Sequence, residues 1–308
     1  MEDTELFGTV AIVGLGLMGG SLGMALRERR RARRVLGADA DPAALRDAAR
    51  LGAIDQGGAL EAVVSQADLV VLATPVPVLA GLLRQIGPHL RSTAVVTDLG
   101  SVKRPVLDAA AALPRPERFV GGHPLAGREH SGVAAAHGDL FLGRAWAVVP
   151  GPSSLPGAVL SGPAQPQAVE TVTCLARTVG ADPIVLDADE HDRLAAGISH
   201  LPQLAAYALA LAVAAGADSG PTGSGAPAGL DLARRMAGPG LRDTTRLAAS
   251  PARLWRDLAL FNRDHLTDGL RRLQAELAEV SKALEAGDGD ALEGLFARAR
   301  AARLALFP

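Results

Sequence analysis

A glycine-rich turn between an apolar strand and a helix constrains the fold of this chain more than any other feature. In the segment VAIVGLGLMGGSLGMAL, Gly14, Gly16 and Gly19 have the spacing G-x-G-x-x-G. In a dinucleotide-binding fold, the first glycine permits a tight turn, the second lets the backbone approach a pyrophosphate, and the third lets helix and strand pack closely. Leu17 and Met18 then supply backbone amides at the helix N-terminus, where the helix dipole favours phosphate.

An acidic residue lies where such a site needs one. Asp39 follows the second apolar run, twenty residues after Gly19. This is the usual offset of the acid that binds the ribose hydroxyls of NAD, and a carboxylate there repels the 2′-phosphate of NADP. The segment therefore predicts NAD as the cofactor, in preference to NADP.

Short apolar runs alternate with amphipathic stretches through the first half of the chain. The runs cover residues 10–13, 35–38, 69–73, 94–97 and 119–120, and residues 145–149 and 184–186 extend the series. Continuous apolar strands separated by helices are typical of a parallel sheet that is covered on both faces. We therefore predict an α/β fold with a Rossmann-type, doubly wound parallel sheet.

The strand pattern stops after Asp187. Residues 189–215 form a long apolar helical stretch, and helical patterns continue to the end of the chain. We therefore predict an NAD-binding domain over residues 1–188 and a second, all-helical C-terminal domain over residues 189–308. A helix as apolar as residues 189–215 is expected to be buried nearly all round, which indicates a homodimer formed through the helical domain.

Composition argues against several classes of partner. The net charge is −2 at pH 7, so no basic surface for nucleic acid is expected. Cys174 is the only cysteine, which excludes an intrachain disulfide and fits a reducing compartment. No signal peptide is evident, and no uninterrupted apolar run reaches the ~20 residues that span a bilayer. We predict a cytoplasmic protein without a nucleic-acid or membrane partner.

Two polar residues follow neighbouring strands of the predicted sheet. His123 lies just after the run 119–120, in GGHPLAGREHSG, and Ser101 lies after the preceding run, in TDLGSVK. The carboxyl ends of parallel strands face the cofactor crevice, and histidine is the natural general base near neutral pH. His89 precedes a strand at the opposite edge and is expected on the surface. His130 and His137 fall in a loop without an evident partner.

The sequence resembles the prephenate and arogenate dehydrogenases over nearly its full length. The segments that carry the resemblance are GLGLMGGSL, ATPV, DLGSVK, GGHPLAG, HDRLAAGISHLPQ and LRDTTRLAASPARLW. Many dehydrogenases share the glycine motif. The combination of GSVK, GGHPLAG, SHLP and RDTTR, in this order and spacing, is specific to this family.

The resemblance implies catalytic and anchoring roles for three residues. His123 matches the histidine that contacts the substrate's ring hydroxyl and accepts its proton. Ser101 matches the serine that hydrogen-bonds at the same place, near the nicotinamide. Arg246 matches the arginine that anchors a substrate carboxylate, a role that suits the planar guanidinium.

The resemblance also implies a set of lining residues. His200 and Gln203 occupy the SHLP segment that lines the substrate pocket, and Trp255 follows from a neighbouring helical region. Thr74 and Pro75 match strand-end residues that touch the cofactor. Many prephenate-specific relatives have a histidine where this chain has Gln203, which leaves the choice between prephenate and arogenate open.

The family's reaction is the NAD-dependent oxidative decarboxylation of prephenate to 4-hydroxyphenylpyruvate, a step of tyrosine biosynthesis that needs no metal. One alternative is an arogenate dehydrogenase, which gives tyrosine directly. Another is a 3-hydroxyacid dehydrogenase, but those enzymes use a lysine in the helical half, where this chain has only Lys282. A non-catalytic NAD sensor would not need Ser101, His123 and Arg246 together.

Overall fold

The computed structural model describes residues 5–127, 131–151, 164–218 and 228–307. Within these ranges a single sheet is formed by strands β1 (Phe7–Val13), β2 (Ala32–Ala38), β3 (Gln56–Gly57), β4 (Leu69–Leu72), β5 (Val95–Asp98), β6 (Phe119–Pro124), β7 (Ala145–Val149) and β8 (Asp182–Val185). The strands pair in the order β3-β2-β1-β4-β5-β6-β7-β8. Every predicted apolar run therefore forms a strand, and the short strand β3 is an addition to the prediction.

Helices cover both faces of the sheet. They are α1 (Leu17–Glu28), α2 (Pro42–Arg50), α3 (Leu60–Val64), α4 (Val76–Ile86), α5 (Arg104–Ala110) and α6 (Pro166–Thr178). In β1, Val10 and Ile12 join one hydrophobic cluster with α1 and α6, whereas Ala11 and Val13 join a second cluster with α4 and α5. Alternate side chains of one strand thus enter opposite cores, which explains why the strands read as continuous apolar runs.

The predicted doubly wound parallel sheet is confirmed for β1 to β6, but its last two strands run in the opposite direction. Strands β1 to β6 pair in parallel, but β7 runs antiparallel to β6, and β8 is parallel to β7. A parallel connection needs a crossover of a dozen or more residues, usually a helix. The described part of the β6–β7 connection contains only a 3-10 turn, Val133–Ala135, and the chain re-enters the sheet in the opposite direction.

All regular elements described beyond β8 are helical, as predicted. They are α7 (Ala188–Ala195), a π-helical turn (Ala196–His200), α8 (Leu201–Asp218), α9 (Ala228–Met236), α10 (Pro239–Thr245), a 3-10 turn (Arg246–Ala249), α11 (Ala252–Phe261), α12 (Arg263–Ala286) and α13 (Gly289–Leu306). The first three form one long interrupted helix. Helix α11 contributes Leu258 to the second hydrophobic cluster, which fastens the helical part to the sheet.

Within one chain the long apolar helix is exposed along part of its surface, and the predicted burial all round would therefore need a second copy. Leu211 is 73% exposed. By length and composition, the helix Ala188–Ala217 is long and apolar enough to cross a membrane. Its most apolar stretch of 18 residues has a mean hydropathy of 1.4, and 17% of that stretch is buried. The first half of the helix nevertheless carries His200 and Gln203, which are 1% exposed and are hydrogen-bonded to Asn262 and to the Leu247 carbonyl oxygen, respectively.

The segments 151–167 and 216–229 are rich in proline, glycine and serine, which predicts two surface loops, and both are only partly described. Residues 152–163 and 219–227 lie outside the described residues, as does His130. The predicted loop over residues 216–229 is shorter than expected, because α8 continues to Asp218 and α9 already begins at Ala228.

Candidate active site

The glycine turn after β1 has the shape that the sequence predicts. Gly14 has a φ of +94°, which L-residues with a side chain rarely adopt. A Cβ atom on Gly19 would lie 1.9 Å from the Gly14 carbonyl oxygen, so only glycine lets α1 pack this closely. A Cβ on Gly16 would meet nothing within 4 Å. The turn therefore leaves open space at the glycine expected to face a pyrophosphate.

The N-terminus of the helix that follows the turn has no side-chain cap and is suited to bind phosphate. Helix α1 begins at Leu17 with Gly16 as N-cap, without a side-chain cap or an acid in its first turn. The first amides of an α-helix, here including those of Leu17 and Met18, have no intrahelical partner and are suited to bind a phosphate group.

Asp39 lies directly after β2 and is fixed against the glycine turn. Its carboxylate accepts hydrogen bonds from the backbone amides of Leu15, at 2.6 Å, and Asp41, at 2.8 Å. The acid predicted to meet the ribose is therefore held beside the turn.

The end of β4 borders the same turn. A Cβ on Gly14 would lie 3.0 Å from Thr74 Cγ2, and Pro75 is the N-cap of α4. The Thr74 hydroxyl is buried and has no hydrogen-bond partner among the described residues. A buried hydroxyl without a partner is costly unless a ligand satisfies it. The residues after β1, β2 and β4 thus fit a dinucleotide.

We expect Gly16→Val to lose NAD affinity by at least tenfold without loss of stability, because the added Cβ enters open space and meets no protein atom within 4 Å. Gly19→Val is the matched control, since its Cβ overlaps the Gly14 carbonyl and should lower the melting temperature. NADH fluorescence titration and thermal unfolding measure both. A Gly16→Val protein that binds NADH normally would remove this turn from the cofactor site.

His123 lies within β6 rather than just after it, since the strand runs to Pro124 and His123 pairs with Ala147. It is buried, and its Nδ1 lies 2.8 Å from His191 Nε2 of α7. His191 Nδ1 in turn lies 2.7 Å from Asp192 Oδ1. A chain of three buried side chains thus joins the sheet to the first helix of the helical part.

Asp192 is fixed as an acceptor at the end of this chain. Its carboxylate also accepts from the backbone amides of Lys103, at 2.7 Å, and Arg104, at 3.0 Å. Burial raises the pKa of the Asp192 carboxyl, but hydrogen bonds from His191 and these two amides outweigh burial and keep the pKa below its usual value.

An ionised Asp192 determines which ring nitrogens carry protons. The carboxylate accepts from His191 Nδ1–H, so the lone pair of His191 Nε2 faces His123 and accepts from His123 Nδ1–H. The remaining nitrogen of His123, Nε2, is then left with a free lone pair. This tautomer is the one that a general base requires.

The surroundings of His123 keep it neutral. Burial lowers its pKa well below 6.5, and coulombic interactions with His191, Lys103 and His200 lower that pKa further. The imidazole is therefore uncharged at pH 7 and available to accept a proton.

A buried ion pair supports the strand ends behind His123. Lys103 and Asp98 are both 0% exposed and bonded to each other, and Lys103 Nζ also donates to the Gly122 carbonyl oxygen at 2.6 Å. Burial lowers the pKa of Lys103, and Asp98 partly offsets that effect. The pair ties the end of β5 to β6 and fixes the backbone next to His123.

Ser101 lies between Asp98 and Lys103, after β5, and is half-buried. Strand β5 is the direct neighbour of β6, and the two run parallel. Ser101 and His123 therefore leave adjacent strands at the edge of the sheet that also carries the glycine turn and Thr74, as predicted.

The π-helical turn Ala196–His200 aligns the polar residues of the long helix. In a regular α-helix, the eight steps from Asp192 to His200 would separate their directions by about 80°. A π turn absorbs about one extra residue, which reduces this angle to about 20° and places both residues on one face. Both side chains are accordingly buried.

His200 carries a buried nitrogen without a partner. Its ring contacts Trp255 edge-on, with 5.8 Å between ring centroids, and its Nε2 has no hydrogen-bond partner among the described residues. Burial lowers the pKa of His200 to about 4, with Asp192 raising it and His191 lowering it. The residue is neutral at pH 7, and its Nε2 is available to a ligand.

This depressed pKa makes the protein less stable in acid. His200 is protonated near pH 6.5 in the unfolded chain but only near pH 4 in the folded chain. The contribution of His200 to the stability of the folded state relative to the unfolded state is therefore fully present above pH 6.5, and it is lost as the pH falls towards 4. We expect this residue alone to lower the free energy of unfolding by about 2 kcal/mol at pH 5.

In urea unfolding, the loss of stability between pH 7.5 and pH 5 should therefore shrink by about 2 kcal/mol in His200→Gln. The exposed His89 gives the matched control, His89→Gln. If the free energy of unfolding depended on pH equally in wild type and His200→Gln, this result would contradict the burial of a neutral His200.

Gln203 uses its amide nitrogen to hold a neighbouring turn. It is 1% exposed, and its Nε2 donates to the Leu247 carbonyl oxygen in the 3-10 turn that Arg246 begins. Tyr207, one helical turn later, donates to the Ser250 carbonyl oxygen at 3.1 Å. Helix α8 thus holds the segment of Arg246, and Gln203 contributes to its position.

Sequence reasoning missed His191, Asp192, Asn262 and the Lys103–Asp98 pair. The first two lie at the start of HDRLAAGISHLPQ, where an adjacent histidine and aspartate were an available signal. Asn262 is 3% exposed and is the only asparagine of the chain. Among the described residues, no group of three or more His, Cys, Asp or Glu side chains is arranged to hold a metal ion.

Two family models match the chain. Residues 22–159 match the nucleotide-binding domain of prephenate dehydrogenase, and residues 187–298 match its dimerization domain. The prephenate dehydrogenase of Bacillus subtilis is 31% identical over 295 residues, which cover 95% of this chain and 74% of that protein.

Two solved structures resemble the whole chain. The prephenate dehydrogenase of Aquifex aeolicus, in complex with hydroxyphenyl propionate and NAD+, superposes with a TM-score of 0.83, 27% identity and coverage of 97% of this chain and 98% of that one. The arogenate dehydrogenase of Synechocystis has a TM-score of 0.75 at 26% identity and covers 96% of this chain and 98% of its own.

Proposed function

This chain belongs to the prephenate dehydrogenase family, and on that premise we propose that it oxidises prephenate with NAD+ and releases carbon dioxide, giving 4-hydroxyphenylpyruvate. It is an NAD-dependent oxidoreductase. The observation that supports the reaction most strongly is the buried chain His123–His191–Asp192, at the same edge of the sheet as the glycine turn. We assign residues 1–188 to cofactor binding and residues 189–308 to substrate binding and dimerisation.

The first chemical task is to remove the proton of the ring hydroxyl as its carbon becomes a carbonyl. NAD+, when bound, accepts the hydride that leaves this carbon. His123 Nε2 has the free lone pair and the neutral state that a base needs, and a positioned base is worth about 10²–10⁴-fold in rate. Ser101, on the adjacent strand end, hydrogen-bonds the same hydroxyl.

The chain behind His123 stabilises the protonated base. A proton on His123 Nε2 makes the ring cationic, and its Nδ1–H bond to His191 strengthens as a result. Asp192 supplies the negative charge at the far end without being protonated itself. This is the role that a buried carboxylate has in a serine-protease triad.

The second task is loss of the ring carboxylate. The electron pair of the breaking carbon–carbon bond moves into the ring, which becomes aromatic, and the carbonyl oxygen becomes a phenolate. His123 can return its proton to this same oxygen, so the site needs neither a second base nor a metal. Arg246 and His200 hold the carboxylates of the substrate in register, with Gln203 and Trp255 supporting the segments that carry them.

We further propose that the protein is a cytoplasmic homodimer that acts in tyrosine biosynthesis. The apolar face of α8, with Leu211 73% exposed, is suited to pack against a second copy. The match of residues 187–298 to a dimerization domain supports this assembly.

Arogenate is the second candidate substrate, favoured by the likeness to the Synechocystis arogenate dehydrogenase and by Gln203 in place of a histidine. Arogenate has an amino group where prephenate has a side-chain keto oxygen, so the ring chemistry at His123 is the same. Parallel kinetics with both substrates and with NAD+ and NADP+ decide the matter. We expect NADH formation with prephenate and NAD+ to have the highest kcat/KM, and no turnover of prephenate would overturn the proposal.

A further inference from the structure

Asn262 connects two buried histidine systems of the candidate site. It lies between α11 and α12, and its side-chain Nδ2 donates to the Asp192 backbone carbonyl oxygen at 2.7 Å. The same Nδ2 lies 3.2 Å from His200 Nδ1. One amide group therefore touches both Asp192, which supports His123 through His191, and the buried ring of His200.

The orientation of this amide follows from its first partner. A backbone carbonyl oxygen only accepts hydrogen bonds, so the side-chain group that faces it must be the NH2 of Asn262 and not its oxygen. The NH2 group has a second hydrogen, and His200 Nδ1 lies within its reach. A ring nitrogen that accepts from this hydrogen must itself be unprotonated.

We propose that Asn262 is a positioning residue that fixes His200 in the Nε2–H tautomer and so makes it a hydrogen-bond donor to a carboxylate of the substrate. The proposal builds on the proposed function, which supplies the carboxylate. His200 Nε2 is buried without a partner among the described residues, as expected of a donor whose acceptor is the ligand.

The two histidines then have complementary tautomers in one site. His123 presents a lone pair on Nε2, because its Nδ1–H donates towards Asp192 through His191. His200 presents N–H on Nε2, because its Nδ1 accepts from Asn262. With the opposite tautomer, His200 would aim a lone pair at a substrate oxygen and repel it.

The tautomer of His200 is measured directly in the wild-type holoprotein. Two-dimensional 1H–15N NMR of the histidine rings, with 15N-labelled protein and saturating NAD+, distinguishes Nδ1–H from Nε2–H, and His200→Gln identifies the signal. We expect Nε2–H from pH 6 to pH 8. A His200 ring protonated on Nδ1 would overturn the proposal.

Asn262→Asp tests whether Asn262 determines the tautomer of His200. A carboxylate cannot donate to His200 Nδ1, so we expect the ring to carry Nδ1–H and the KM for prephenate to rise about tenfold to hundredfold, with kcat within threefold of wild type. If repulsion from the Asp192 carbonyl unfolds this variant, Asn262→Ala replaces it. For Asn262→Ala we expect a mixture of the two His200 tautomers and a KM for prephenate raised at least fivefold.

Thr173→Val, a buried polar site on α6 away from the histidines, is the matched control for simple loss of stability. An Asn262 variant with unchanged KM and an unchanged His200 tautomer would refute the positioning role. Failure of the proposed function is a separate result, because the wild type would then form no NADH with prephenate.

Discussion

Replacing His123 by asparagine lowers kcat for prephenate by about 10²–10⁴-fold and leaves the affinity for NAD+ within about threefold of wild type. Asparagine keeps a polar group of similar size but cannot accept a proton at neutral pH. We expect the cofactor to be held by the residues after β1, β2 and β4, whereas His123 lies in β6, so kcat should fall without a matching loss of NAD+ affinity.

The matched control is His89→Asn, on an exposed 3-10 turn far from the carboxyl ends of the strands. The pH dependence of the wild type gives a second check. Because burial and coulombic interactions with its neighbours hold the pKa of His123 well below 6.5, kcat/KM should stay constant from pH 8 to pH 6.5 and fall only in more acidic solution. Turnover of His123→Asn within tenfold of wild type would exclude His123 as the base.

The second large effect is expected at Arg246. Arg246→Ala should raise the KM for prephenate by about 10²–10³-fold with a much smaller change in kcat, because a bidentate contact with a carboxylate is lost in ground and transition state alike. Steady-state kinetics at saturating NAD+ measure this difference.

Two variants sharpen this test. Arg246→Lys keeps the charge but loses the planar pair of donors, and its KM should fall between wild type and Arg246→Ala. Arg242→Ala removes an exposed arginine one turn earlier, on α10, and should change KM by less than threefold. Equal kinetics in Arg246→Ala and Arg242→Ala would show that Arg246 does not anchor the substrate.

The parts of the site that depend on local sequence were predictable. Gly14, Gly16 and Gly19 are close in the chain, and their roles follow from the backbone of one turn. Ser101 and His123 were placed together by the rule that parallel strands end at the same edge. That rule needs only the strand order, although the strand of His123 is four residues longer than its apolar run.

The parts that depend on contacts between distant segments were not predictable. His123 and His191 are 68 residues apart, and Asn262 is a further 70 residues from Asp192. Apolar periodicity carries no information about such pairings. The π turn that aligns Asp192 with His200 also leaves no mark in the hydrophobic pattern, and the reversal of β7 depends on a connection without a crossover helix in its described part.

Gln203 has a structural role that the motif alone does not indicate. Its position in the SHLP segment predicts contact with the substrate, and its amide nitrogen also donates to the Leu247 carbonyl oxygen. The side chain thus supports the turn of Arg246, a function that depends on the fold of α8 against residues some forty positions later.

The most direct test of His123 as the base at the nicotinamide is a crystal structure with NAD+ and a para-hydroxyphenyl acid bound. We expect the ligand's ring oxygen within about 3.2 Å of His123 Nε2, its carboxylate on Arg246 or His200, and the nicotinamide against the same ring. A ring oxygen without an imidazole neighbour, or a dinucleotide on the far side of the sheet from His123, would contradict this mechanism.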